Sequence, residues 1–214
     1  MRKLPTPAVE FTIFFLATLL LMSIALNGAL ILQRTKPDFW RDVRLAFRKL
    51  PPITAEDHVR GDSQSSVTII DYSDYQCPYS KQLHSDLKKL AETSNIKWVL
   101  RNKPLDSIHP FATSAAVAAE CANRQGRFWE YSDALFDEQD KFASPSFFEQ
   151  LAQRLNLDLP EFNACRATGA TGMLSTQISD AAALEISITP TMFVNGRRFD
   201  GAVPLSELAR LVQN

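Results

Sequence analysis

The sequence predicts an α/β domain in which a block of helices interrupts a sheet-forming chain, preceded by one long apolar helix. Three observations carry this. After residue 57 the hydrophobic patterns run β-α-β, then several helices, then α-β-β-α. Residues 11–32 are 22 in succession without a charge. The charge also divides along the chain. Residues 1–50 carry eight Lys and Arg against three Asp and Glu, and residues 51–214 carry fifteen against twenty-one. The net −1 therefore joins a basic front to an acidic body, two parts suited to different surroundings.

The apolar segment comes first. At about 1.5 Å rise per residue, a helix over residues 11–32 is long enough for a hydrocarbon core of roughly 30 Å. It exceeds the apolar stretch of a cleaved signal peptide, about 7–15 residues, and Asn27-Gly28-Ala29 matches the small-x-small cleavage pattern poorly. The expectation is an uncleaved transmembrane helix within residues 1–33, a basic juxtamembrane linker over 34–56 and a folded domain over 57–214. Arg2 and Lys3 precede the segment, whereas Arg34, Lys36, Arg41, Arg44, Arg48 and Lys49 follow it. That count favours a cytoplasmic C-terminal side. Residues 38–50 place aromatic and aliphatic residues among these bases, as in a helix lying on a lipid surface or a solvated linker helix, and Pro51-Pro52 ends the stretch.

The body reads in order. Residues 67–72 are rich in β-branched side chains and predict a buried strand. Pro78 suits the first turn of a helix running to about residue 92, with Leu83, Leu87 and Leu90 on one face. Residues 96–100 predict a second strand. An Ala-rich helix follows over 110–123, then an aromatic one over 127–139. Ser144-Pro145 predicts the start of a third helix, with Ser144 as its cap, and residues 159–167 predict a short fourth. A helix over 171–184 precedes Ile188-Thr189-Pro190. Asn195-Gly196 then marks a hairpin turn, and an amphipathic helix closes the chain over 204–212.

Composition excludes several functions. Three Cys are too few for a disulfide scaffold or a zinc array, and His58, His84 and His109 show no ligand spacing. No P-loop, dinucleotide fingerprint or G-x-S-x-G occurs. The expectation is therefore no metal, no cofactor and no nucleic-acid partner. The candidate site is Cys77-Pro78-Tyr79-Ser80, at a strand-to-helix turn. Free N–H groups and the positive end of the helix dipole favour negative charge there, and the thiolate is the attacking species in disulfide exchange. A buried, inert cysteine is the alternative.

The segment from Val67 to Tyr79 resembles the active-site stretch of the DsbA-like thiol–disulfide oxidoreductases. Ala118 to Ala122, followed by Gln125 to Tyr131, resembles the helical insert of that family, and Ile188 to Gly196 resembles its proline loop and hairpin. The resemblance implies an exported protein with a thioredoxin-like fold and a helical insert over about 108–170. It implies Cys77 as nucleophile. It also implies substrate contacts at Pro78, Tyr79 and the Thr189 backbone, a cis bond at Pro190, and an acidic group, Asp71, beneath the site. Asp71 could equally be a solvated strand-end residue. Ser80 departs from the pattern, because the family carries its resolving Cys there. The hydroxyl cannot form a disulfide, although it could donate a hydrogen bond to the Cys77 thiolate.

Three outcomes follow. Cys77 works alone with an external thiol on cysteine-containing exported proteins, it pairs with Cys121 or Cys165, or catalysis is lost and a binding module remains. Glutathione-linked chemistry is a further alternative. Cys121 and Cys165 are natural partners for each other in an oxidising compartment, and two buried free thiols are the other reading. The implied export places the domain outside the cytoplasm, against the Lys/Arg count.

Overall fold

The computed structural model describes residues 7–35, 49–142, 144–169 and 172–212. The chain falls into two compact units, Met1–Lys49 and Leu50–Asn214. In the first, helix α1 runs Pro7–Thr35. Its described side chains are those of residues 15–16 and 18–31, and Phe15, Leu16, Leu20, Leu21, Met22 and Ile24 among them are exposed. Among the described residues no helix is long and apolar enough to cross a membrane. The expected transmembrane helix therefore gains no support from the described residues. The helix expected over 38–50 lies, up to residue 48, outside the described residues.

In the second unit the β-branched and aromatic runs become strands β2 (Thr68–Ser73) and β3 (Lys97–Asn102), which pair in parallel. Helix α2 (Pro78–Thr93) connects them. Strand β4 (Thr191–Val194) pairs antiparallel with β2, and β5 (Arg197–Asp200) returns from the Asn195-Gly196 turn to pair with β4. A further strand, β1 (His58–Gly61), adds antiparallel to the free edge of β3, giving the order β1-β3-β2-β4-β5. Sequence reasoning missed β1. Its four residues hold one β-branched side chain, the mark of a short, polar edge strand. Gly61 ends it at φ +89°, where a Cβ would collide with the Ile96 carbonyl.

The two-residue period of the strands divides the core. Ile69, Trp98, Leu100, Met192 and Val194 face Leu83, Leu87 and Leu90 of α2 and share one continuous core with the insert. Ile70, Tyr72, Val99 and Phe193 face the other way, onto Ala181, Leu184 and Ile186. The insert comprises α3 (Ala112–Asn123), α4 (Phe128–Asp137), a 3₁₀ turn (Gln139–Lys141), α5 (Ser146–Arg154) and α6 (Leu159–Ala167). Helix α7 (Met173–Ala183) supplies Ala181 to the second core, and α8 (Leu205–Leu211) closes the chain. Ser144 does not cap α5. Pro145 holds that position, and the Ser144 hydroxyl bonds Ser146 Oγ at 2.7 Å, so its oxygen meets a side chain and not a free backbone N–H.

Two devices tie the insert together and to the sheet. Asp133 of α4 accepts from Arg60 of β1 at 2.9 and 3.1 Å, and from His84 and Lys88 of α2 at 2.8 and 2.6 Å. Burial raises the Asp133 carboxyl, but these hydrogen bonds outweigh it and hold the group below the usual carboxylate range. The Arg60 guanidinium also lies 4.2 Å from the Trp129 ring centroid. The second device is a disulfide between Cys121 of α3 and Cys165 of α6, with Cα atoms 5.7 Å apart. It closes a loop of sequence separation 44, which in the chain-entropy view destabilises the unfolded chain by about 4 kcal/mol. Replacing both cysteines, Cys121→Ala with Cys165→Ala, is expected to lower the unfolding free energy by about 2–4 kcal/mol in urea titrations. An unchanged midpoint would contradict this role.

Candidate active site

Cys77 is the N-cap of α2, in extended geometry (φ −76°, ψ 121°), and Pro78 follows in the first turn, where a missing N–H costs nothing. No side chain caps the helix, so its free amide donors face the sulfur end of the turn. The thiol is free and buried. Cys77 Sγ donates to the carbonyl oxygen of Thr189 at 3.2 Å, and the Thr189–Pro190 bond is cis. The proline loop before β4 and the start of α2 therefore meet at the sulfur, because β2 and β4 are neighbouring strands.

Beside them opens a cleft of about 760 Å³, lined by Cys77, Pro78, Tyr79, Ile108, His109 and Ile188 among others. Tyr79, Ile108 and Ile188 are exposed, giving the cleft an apolar rim. The structure thus brings together Cys77, Pro78, Tyr79, Thr189 and Pro190. The Thr189 carbonyl accepts from Cys77. Cys121 and Cys165 are buried and joined to each other, so neither is a free partner for Cys77.

Ser80 and Asp71 are both buried. Ser80 is fully buried, and its Oγ accepts from the Asp74 backbone N–H at 3.4 Å. No hydrogen bond to Cys77 is present among the described residues. The reason is positional, since Ser80 points back under the turn towards Asp74. Asp71 is not solvated. Its register partners are Leu100 and Met192, so it sits on the core face with no solvent exposure. Both carboxylate oxygens accept from Ser73 Oγ, at 2.7 and 2.8 Å. No hydrogen bond links Asp71 to Cys77 or Ser80 among the described residues. Burial pushes its carboxyl up to about 7, with the Ser73 bond opposing.

Three residues that sequence reasoning passed over hold the turn. Asp74 is buried. Its Oδ1 accepts from Gln76 N at 2.8 Å, while Oδ2 accepts from Leu105 N at 2.8 Å and from His109 Nδ1 at 2.9 Å. Its carbonyl accepts from Cys77 N at 3.0 Å. Gln76 Oε1 accepts from Phe111 N. From the other side, Gln139 Nε2 donates to the carbonyls of Tyr75 at 2.7 Å and Cys77 at 2.9 Å. Asp74 carried a signal, because an Asp two residues before a turn amide is the Asx-turn pattern. Gln139 carried none, since its contact spans 62 positions.

A cysteine capping the helix after a central strand, held against a cis-proline loop beside an apolar cleft, defines a thioredoxin-like thiol site. Residues 54–214 match the family model described as Thioredoxin, and the chain belongs to the thioredoxin family. Among solved structures the fold is similar to that of the thiol-disulfide exchange protein alpha-DsbA2 from Wolbachia pipientis. The TM-score is 0.67 and the identity 20%, covering 85% of this chain and 95% of that one. It is also similar to oxidised BdbD from Bacillus subtilis, with a TM-score of 0.64 and 19% identity over 73% of this chain and 91% of that one. A Na(+)/H(+) antiporter, NhaA 3 of Salinispora tropica, is 38% identical over 160 residues, which make up 74% of this chain and 24% of the antiporter. The chain spans about a quarter of the length of the curated relatives it matches.

The buried Asp71 carboxyl has a measurable consequence. Its folded value of about 7 lies above the ordinary 3.8, so the folded state binds its proton more tightly. Between those values stability falls as pH rises, and above about 7 the cost is fully present. Asp71→Asn removes that cost. Its gain over wild type in urea titrations is expected to grow from pH 4 to pH 8, by up to about 4 kcal/mol. A constant offset across that range would show that Asp71 does not titrate as described.

Proposed function

We propose that this protein is a membrane-anchored, extracytoplasmic thiol–disulfide exchange protein that acts on protein disulfides through Cys77 alone. The observation that carries this reading is the partition of the cysteines. Cys77 is free at a helix N-cap against the proline loop, Ser80 stands at the position three residues on, and Cys121 and Cys165 are locked together. Attack of the Cys77 thiolate on a client disulfide forms a mixed disulfide and releases one client thiolate. Ser80 cannot displace the client, so an external thiol, or the client's own freed thiol, must do so.

The cleft supports clients that present an apolar extended segment around a cysteine. Among the described residues no Lys, Arg, Asp or Glu lines it, which disfavours glutathione with its two carboxylates. The Cys121–Cys165 disulfide supports an oxidising compartment, and the uncharged residues 11–32 support an anchor. The Lys/Arg distribution around that segment argues for the opposite orientation. The apolar cleft also favours a second reading, a binding module, in which clients are captured equally well after Cys77→Ala.

Incubated with a disulfide-bonded peptide, the full chain is expected to form a one-to-one adduct at Cys77 that Cys77→Ala abolishes. Ser80→Cys should convert this long-lived adduct into one that resolves itself, read as faster peptide release without added thiol. Adduct lifetimes equal in the two proteins would count against the single-thiol mechanism. Orientation has its own test. A reporter fused after Asn214 is expected to be active outside the cytoplasm, and activity confined to the cytoplasm would overturn the placement.

A further inference from the structure

We propose that His109 is the acid–base residue of the Cys77 cleft, oriented by Asp74, and that it carries the proton exchanged between the attacking and leaving sulfurs. This rests on the reading of Cys77 as the nucleophile.

The geometry points to it in three ways. First, orientation is fixed. Asp74 Oδ2 lies 2.9 Å from His109 Nδ1, and Asp74 is itself fully enclosed and held by Gln76 N and Leu105 N. A carboxylate oxygen accepts, so Nδ1 carries the hydrogen and Nε2 is left with a lone pair. Second, Nε2 is free to act. It has no hydrogen-bond partner among the described residues, and the His109 side chain remains 17% exposed. Third, its place is the cleft. Cys77 and His109 line the same cleft, and Cys77, Tyr79 and His109 are the titratable side chains there among the described residues. Among the described residues no Lys, Arg, Asp or Glu lines the cleft. Asp74 faces His109 from the β2–α2 turn, and Asp106, in the same loop as His109, is turned to the N–H and hydroxyl of Thr113. An imidazole with one nitrogen on a buried carboxylate and the other free, in the cleft that also holds the reacting sulfur, has the parts that general acid–base catalysis requires.

The step balances without another reactant. The Cys77 S–H leaves the Thr189 carbonyl and gives its proton to Nε2, and the thiolate attacks the near sulfur of the client disulfide. The client S–S bond breaks as the Cys77–client S–S bond forms. The electron pair leaves on the far client sulfur, which receives the proton from Nε2. One disulfide is exchanged for another, with no net oxidation or reduction.

The test uses the full chain and one cysteine peptide carried as two mixed disulfides. One has an alkyl thiol as leaving group, and the other has nitrothiobenzoate, whose thiolate leaves without a proton. His109→Gln is expected to slow adduct formation from the alkyl probe about 100-fold, and to slow the nitrothiobenzoate probe much less, because that probe needs His109 only to take the Cys77 proton and not to protonate the leaving sulfur. Imidazole added to His109→Ala should restore the alkyl rate, which also separates lost chemistry from lost folding. Equal slowing of both probes, no slowing of either, or absence of imidazole rescue would overturn the assignment. If wild type forms no Cys77 adduct with either probe, the nucleophile reading itself fails and this role fails with it.

Discussion

The buried carboxylate of Asp74 is the constraint on which the rest of the site depends. It accepts from Gln76, Leu105 and His109, its carbonyl holds the Cys77 amide, and its own amide meets Ser80. One side chain thereby fixes the turn that presents the sulfur, the loop that opens the insert and the orientation of the histidine beside the cleft. A buried carboxylate with several donors is costly to leave partly satisfied. The turn, the loop and the ring are consequently held as a set. Gln139 completes the clamp from the 3₁₀ turn after α4, and the Asp133 cluster anchors α4 to β1 and α2. The insert is thus a wall of the active site and part of its core.

Much of the fold was legible in the sequence because it rests on local periodicity and turn chemistry. The β-branched run of β2, the leucines of α2, the Asn195-Gly196 turn and the alanines of α3 each give a local signal, and each forms the expected kind of element. Strand β1 escaped because an edge strand of four residues gains its structure from its neighbour and not from its own pattern. Ser144 was misread as a cap because a start signal one residue early looks the same in sequence.

The site was legible in part for the same reason. Cys77, Pro78, Thr189 and Pro190 lie in contiguous motifs, and they meet in space. The roles expected of Ser80 and Asp71 depended on where their side chains point, which depends on packing across the sheet and under the turn. Gln139 and the pairing of His109 with Asp74 span 62 and 35 positions, and only the folded chain juxtaposes them.

The central claim is that Cys77 exchanges disulfides without a second thiol of its own chain. The most direct measurement is intact-mass and peptide-mapping analysis of the isolated wild-type client adduct, held without external thiol. The account predicts that the client stays on Cys77 and that the Cys121–Cys165 bond remains intact. Release of the client with Cys77 joined to Cys121 or Cys165 would contradict it.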